Sequence, residues 1–332
     1  MGVPPADFQK SEMRLKMRRA IGICAAIGTA FFAGPLAALP AGAELDAALQ
    51  TDVQTLAGEI GPRQAYAGDS LVRAADFIER RLAAMGWQVR RLRFEVPGAT
   101  CANLEIERRG TIKSEEIVVV GAHYDTVRVT LGADDNASGV AALLALAGDF
   151  APSQPARTLR FVAFANEEPA FFQSELMGSR VYARACRARG EKIVAMVCLE
   201  SIGYYSDVKE SQRYPFPLSL FYPSRGNFLA IVGNRESRAL VKRVTKSIRE
   251  TKAIPCESAA LPGAWPGVGW SDHWAFWQEG YPAVMATDTA TFRNPNYHRP
   301  TDTPVTLDFP RLAAAVRGLR AVVAELAQTE KR

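Results

Sequence analysis

Histidine and cysteine are scarce in this chain: there are three histidines and five cysteines in 332 residues. No cysteine pair has the C-x-x-C spacing that would hold a zinc ribbon. Internal repeats and low-complexity linkers are also missing, so the chain reads as one domain rather than an array. Basic residues are not scarce, at 40 against 35 acidic, but they form no focused stripe. Arg80, Arg81, Arg90, Arg91 and Arg93 flank a helix-to-strand passage and read as solvated faces. Nucleic-acid binding needs a concentrated basic surface, ideally with stacking aromatics, so no nucleic-acid partner is expected. Apolar residues make up 48% and charged residues 23%, an ordinary globular balance that sets aside disorder.

The amino terminus has a targeting pattern. Lys10, Arg14, Lys16, Arg18 and Arg19 lead into an apolar run from Ala20 to Leu39, which ends at Ala41-Gly42-Ala43. A basic region, an apolar core and a small-residue site, in that order, describe a secretory signal. Residues 1–43 are read as a signal peptide or an N-terminal anchor, with cleavage favoured, and 44–332 as the folded domain. The expected location is secreted or periplasmic. An uncleaved segment would instead anchor the protein in the membrane, facing the periplasm. Cys101, Cys186, Cys198 and Cys256 would then lie in an oxidising compartment, as buried thiols or with a disulfide.

Beyond Ala47 helices and strands alternate. Leu71, Ala74, Ala75, Ile78, Leu82 and Met85 make a helical stripe closed by Gly86. Strands are expected at Trp87–Val96, Cys101–Glu107, Leu159–Ala165, Ile193–Leu199 and Phe228–Val232. Further helices are expected at Gly139–Phe150, Ser174–Arg189, Arg235–Thr251 and Arg311–Ala327. The run Ile117-Val118-Val119-Val120 predicts a central strand buried on both faces. The fold class is α/β: a three-layer α/β/α sandwich whose mixed sheet is parallel at its centre. Tyr204–Asn227, rich in Pro, Ser and aromatics, reads as a pocket wall, and Pro255–Gly269 as a second loop.

All three histidines lie in polar clusters near the ends of elements. His123 follows the central strand in Gly121-Ala-His-Tyr-Asp125, His273 sits in Ser271-Asp-His-Trp274, and His298 in Asn296-Tyr-His-Arg-Pro300. Carboxylates occupy similar places: Asp134-Asp135 before a helix, Glu167-Glu168 after one strand, Glu200 after another. Sites in open α/β sheets form beyond the carboxyl ends of the strands, and here separate strands end in imidazole or carboxylate. Hard oxygen ligands mixed with imidazole suit zinc. Two neighbouring metals would need a bridging carboxylate, and the Glu167-Glu168 pair could supply a ligand and a proton acceptor side by side.

In this order the motifs resemble the two-zinc aminopeptidase family, which includes leucyl-type bacterial aminopeptidases, glutamate carboxypeptidase and glutaminyl cyclase relatives. They are Gly-Ala-His123-Tyr-Asp125, Gly132-Ala-Asp134-Asp135-Asn136-Ala-Ser138-Gly139, Asn166-Glu167-Glu168 with Gly178-Ser179 downstream, Cys-Leu-Glu200-Ser-Ile-Gly203, Ser271-Asp272-His273, and Tyr297-His298-x-x-x-Asp302-Thr303. The resemblance implies two zinc ions and a peptide substrate cut at its N-terminal bond. It implies that Asp135 bridges the ions, with a cis peptide to Asn136, while His123 and Glu200 complete one site and Glu168 and His298 the other. The choice of Asp135 over Asp134 rests on the spacing to Gly139. Glu167 would be the general base, and Asp125 would orient the His123 ring. Asp272, His273 and Tyr297 would lie behind the ligands or touch substrate. Glu200 departs from the family, where many members have Asp.

Phe171, Tyr205, Phe216, Phe221 and Trp277 are candidates for an apolar specificity surface. A carboxypeptidase of the same family would need a cation, such as Arg225 or Arg293. A glutaminyl cyclase-like acyltransferase is the other alternative, against which His123 argues. Oligomeric state is not legible. The targeting pattern predicts that N-terminal sequencing of the exported protein begins at Glu44; recovery in the membrane fraction with residues 1–43 attached would mark an anchor instead.

Overall fold

The computed structural model describes residues 42–66 and 68–328, so the expected signal or anchor lies, but for its last two residues, outside the described residues. The strands are β1 (Arg90–Val96), β2 (Ala99–Arg108), β3 (Lys113–His123), β4 (Arg157–Phe164), β5 (Lys192–Glu200), β6 (Leu229–Asn234), β7 (Cys256–Leu261) and β8 (Ala283–Thr287). The α-helices are α1 (Gly42–Val53), α2 (Ser70–Ala84), α3 (Gly139–Phe150), α4 (Gly178–Ala188), α5 (Arg238–Thr251), α6 (His273–Gln278) and α7 (Phe309–Ala327). None of these helices is long and apolar enough to cross a membrane, among the described residues.

All eight strands form one sheet in the order β1-β2-β4-β3-β5-β8-β6-β7. The central strands β4, β3, β5 and β8 are parallel, while β2 on β4 and β6 on β8 are antiparallel. The apolar run of β3 explains its central place. Val118 and Val120 face a core built with α1, α2, α3, α5 and α7, whereas Ile117 and Val119 face the layer of α4 and α6. A strand covered on both faces has no solvent side and needs no polar alternation. Helix α3 is apolar on nearly every side and is buried accordingly. The result is a three-layer α/β/α sandwich with a mixed sheet.

Register places the site. His123 pairs with Phe164 across β3 and β4, and Glu200 pairs with Thr287 across β5 and β8. Because these strands run in one direction, their carboxyl ends reach the same edge of the sheet.

Several elements differ from expectation. The segment read as a loop over Pro255–Gly269 contains edge strand β7, whose Cys-Glu-Ser-Ala-Ala-Leu sequence has little β propensity and owes its conformation to pairing with β6. Strand β8 is only five residues long, and helix α6 six, too short for a periodic signal. The helix expected from Ser174 begins at Gly178, where a Cβ would lie 2.1 Å from the Ala165 carbonyl oxygen, a close approach that only glycine permits. The four described cysteines are buried free thiols, so no disulfide joins them.

Phe164, fully buried, packs its ring against Tyr182 and Phe276 in the α4/α6 layer. Truncation there removes contacts that rigid neighbours cannot replace. Phe164→Ala is expected to cost about 3–5 kcal/mol of stability, measured by urea unfolding.

Candidate metal centre

His123, the last residue of β3, is fully buried with its Nε2 3.1 Å from Glu200 Oε2 and 3.3 Å from Asp135 Oδ1. His298 Nε2 lies 3.0 Å from Asp135 Oδ2 and 3.3 Å from Glu168 Oε2. Two triads result, His123–Asp135–Glu200 and Asp135–Glu168–His298, each with its ligand atoms within 4.8 Å of one another. Asp135 belongs to both and turns one oxygen to each. Asp134 faces elsewhere: its oxygens accept from the Gly203 amide at 2.9 Å and Asn294 Nδ2 at 2.6 Å.

The turn that presents Asp135 is anchored at several points. Its peptide bond to Asn136 is cis. The Asn136 side chain donates to the Leu199 carbonyl oxygen at 2.8 Å and accepts from the amides of Gly139 and Ser201. The turn is thereby tied to the end of β5, which carries Glu200. From the opposite side, the buried Asp302 carboxylate accepts from the amides of Asp134 and Asp135 at 2.9 and 3.2 Å. Asp302 stands in the sequence motif with no role assigned to it; only its place in the fold reveals one.

Asp125 makes a second set of contacts besides the one expected with the His123 ring. Its two carboxylate oxygens accept from the amides of Glu167 and Glu168, both at 3.0 Å. Its contact with the His123 ring is made by the backbone oxygen, 3.2 Å from Nδ1, with Oδ1 farther off at 3.5 Å. It therefore fixes the Glu167-Glu168 turn as well as the imidazole. Glu200 is held by Ser271 Oγ at 2.7 Å and Ser201 Oγ at 2.9 Å, both of which stand in the sequence motifs with no role assigned to them. The Tyr297 ring stacks on His298, with centroids 3.9 Å apart.

Electrostatics follow from crowding acids in a buried space. Burial works against ionisation of Asp135, but His123 and His298 prevail and hold it below the usual carboxylate range. Burial, reinforced by the charge of Asp135, pushes Glu168 up to about 8. Burial lowers the affinity of His298 for its proton, yet Asp135 and Glu168 outweigh it and raise the ring to about 10. Glu167 is raised well above its ordinary value by burial and by Glu168, Glu200 and Asp272. Asp272, fully buried, is pushed up to about 7, chiefly by burial. His273 stands apart from both triads. Its Nε2 donates to the Val268 carbonyl oxygen at 2.7 Å, its ring meets Trp277 edge-on, and burial lowers it to about 4.

The donor set fits metal ions. Asp135 Oδ2, Glu168 Oε1 and His298 Nε2 are buried atoms without a hydrogen-bond partner. Buried polar atoms are normally satisfied, whereas Asp135 Oδ2 and His298 Nε2 stand 3.0 Å apart without a hydrogen bond between them. Ligands about 2.1 Å from a tetrahedral zinc would stand about 3.4 Å apart; the observed contacts span 3.0–3.3 Å.

Beside the triads opens a cavity of about 110 Å³, bounded by Glu200 and Tyr297 at one end and by Tyr222, Phe228, Trp270, Met285 and Phe292. Both irregular stretches singled out in the sequence contribute walls. The five aromatics expected there do not. Phe216 and Phe221 are largely exposed, Tyr205 is buried with its hydroxyl on the Ile202 carbonyl, Phe171 packs on Tyr66, and Trp277 bonds the Ala283 carbonyl. Apolar character alone could not tell lining residues from core or surface. Arg293, one of the two expected cations, is buried; its Nε donates to Gln212 and its guanidinium lies over the Phe228 ring.

Known proteins resemble most of this chain. An uncharacterized protein of Escherichia coli (strain K12), YfbL, is 36% identical over 280 residues, covering 82% of this chain and 85% of its own. A probable leucine aminopeptidase of Arthroderma otae is 27% identical over 293 residues, covering 78% and 71%. The solved structure of BSAP, a zinc aminopeptidase from Bacillus subtilis, superposes with a TM-score of 0.68 at 16% identity, over 86% of this chain and 95% of that one. At that identity the likeness shows the fold, which glutaminyl cyclases share as well. The profile of peptidase family M28 matches residues 103–323, the span that holds every residue of both triads. The chain belongs to peptidase family M28, and is a hydrolase.

Proposed function

We propose that the protein is an exported two-zinc aminopeptidase. The observation that carries this reading is the Asp135 carboxylate, divided between two His-carboxylate triads. His123, Asp135 and Glu200 would hold one ion, and Asp135, Glu168 and His298 the other. Bound there, the ions supply Lewis acidity, lowering the pKa of water and polarising the scissile carbonyl. Glu167 belongs to neither triad; burial and the surrounding acids raise its proton affinity, and cations held in the triads would favour its ionised form, which can then accept a proton. It takes a proton from water as the peptide bond is attacked and passes it to the leaving amine. Asp125 keeps Glu167 in reach by holding its amide. The apolar cavity next to Glu200 would take the side chain of the N-terminal residue, since its volume is comparable to the ~150 Å³ that accommodates benzene in a protein core.

The acidic surroundings favour a free amino terminus as the recognised group. Arg213, an exposed residue on the cavity lining, is the one observation on the side of a carboxypeptidase. Arg225 is exposed and Arg293 is engaged by Gln212. A cyclase reading is disfavoured by His123, which completes the first triad. The basic, apolar and small-residue order of residues 1–43 supports export.

Amino-acid anilides are expected to be cleaved and amino-blocked dipeptides to be left intact; the reverse would establish the carboxypeptidase. Glu167→Gln is expected to retain zinc, measured by metal analysis, and to lose about 10²–10⁴-fold in kcat; a folded variant with wild-type activity would remove Glu167 from its role. The pH dependence has a definite sign. In the metal-free protein Glu168 and His298 hold their protons up to about pH 8 and about pH 10. Ligands must shed these protons to bind. Zinc affinity should therefore rise with pH through that range, with protons released on loading, and calorimetry in buffers of different ionisation enthalpy would count them.

A further inference from the structure

Arg63 is fully buried, with a relative accessibility of 0%. A buried guanidinium ordinarily pairs with a carboxylate. Arg63 forms no salt bridge among the described residues, and its donors all go to backbone oxygens. Nε reaches the Tyr124 carbonyl at 2.7 Å. Nη1 reaches those of Leu56, Gly61 and Leu131 at 2.9, 3.1 and 2.8 Å, and Nη2 reaches that of Gly132 at 2.9 Å.

The carbonyls it gathers are significant for their place in the chain. Tyr124 follows His123 directly. Leu131 and Gly132 stand at the start of the turn that presents Asp135. Between them the chain makes an irregular excursion that has no ladder of its own. One rigid fork thus pins both ends of the loop joining two residues that meet 3.3 Å apart. The backbone adds to the clamp, since the Arg63 amide donates to Thr126 Oγ1 at 3.0 Å and the Thr126 amide to the Arg63 carbonyl at 2.9 Å. The fit is close: Gly132 has φ +61°, and a Cβ there would lie 2.9 Å from Arg63 Nη2 and 2.4 Å from the Asp135 backbone carbonyl oxygen. The charge also has an address. The acids that act on Arg63 at longer range are Asp125, Asp302, Asp135 and Glu168, all at the candidate site, and burial outweighs them to lower Arg63 to about 10.

We infer that Arg63 is a positioning residue for the metal centre, setting the His123–Asp135 separation through the loop between them and offsetting the negative charge of the site from behind. Lysine would keep the charge but lose the planar fork, which one ammonium with three donors cannot replace. The inference rests on the metal-centre reading proposed above, and its test is separable from it, because zinc affinity is measured without a peptide.

The test is chelator competition for zinc on the full chain, with wild type, Arg63→Lys and Arg63→Met. Circular dichroism would report folding, and kcat and KM would be taken at saturating zinc. Both variants are expected to fold and to lose about 10–100-fold in zinc affinity, the range seen when residues supporting metal ligands are removed. At saturating zinc kcat per folded, zinc-loaded enzyme should fall with KM little changed; a smaller folded fraction would lower kcat in the same way, so the deciding readout is the zinc affinity of the folded variants. A folded Arg63→Met or Arg63→Lys with wild-type zinc affinity would overturn the inference. So would failure of both to fold with zinc present, which would make Arg63 a residue of the fold alone. A wild-type chain that binds no zinc would instead defeat the metal reading, and one that binds zinc but cleaves no peptide would defeat the aminopeptidase reading and leave Arg63 its role.

Discussion

Asp135 shares its two oxygens between His123 and His298, and nothing about that residue alone could put it there. Its side chain is short, so its backbone must be delivered to a point between two strand ends and a distant turn. Much of the surrounding structure serves this delivery. Asn136 ties the turn to β5, Asp302 accepts from its amides, and Gly132 allows its sharp entry. An isolated buried carboxylate is costly. Here the two imidazoles offset that cost, and cations in the triads would offset the rest.

Around this centre the structure separates tasks that chemistry tends to confuse. Glu167 and Glu168 are adjacent in sequence, yet Glu168 contacts His298 while Glu167 remains outside both triads. The difference comes from the turn, whose two amides are held by one carboxylate, that of Asp125. Two neighbouring acids are thereby given different surroundings, the usual way in which a site obtains a ligand and a proton carrier from one residue type. The supporting residues are themselves hydrogen-bonded, as the Ser271 contact to Glu200 and the Tyr297 stack on His298 show. Packing and hydrogen bonds of this kind lock side-chain rotamers and pre-organise a site.

The fold was legible where burial leaves a periodic trace. The run Ile117–Val120 identified the central strand because a strand covered on both faces must be apolar throughout. The stripe of α2 and the all-apolar α3 were equally clear. Strands β7 and β8 and helix α6 were not, since short elements held by their neighbours carry little signal of their own. The pocket aromatics failed for a related reason. Phe216 and Trp270 look alike as letters, but one lies on the surface and the other lines the cavity.

By itself the sequence determined the alternation of helices and strands, and it carried the imidazoles and carboxylates at strand ends in an order that names a family. Those features are local or collinear with the chain. The spacing to Gly139 had favoured Asp135 over Asp134, and the tertiary structure supplied the reason, turning the Asp135 oxygens to His123 and His298 while those of Asp134 face Gly203 and Asn294. The tertiary structure alone decided the roles of Asp302, Ser271 and Arg63, which act through contacts spanning many residues of chain. Such roles depend on where a polar atom points once the backbone is folded, and no pattern along the chain encodes that direction.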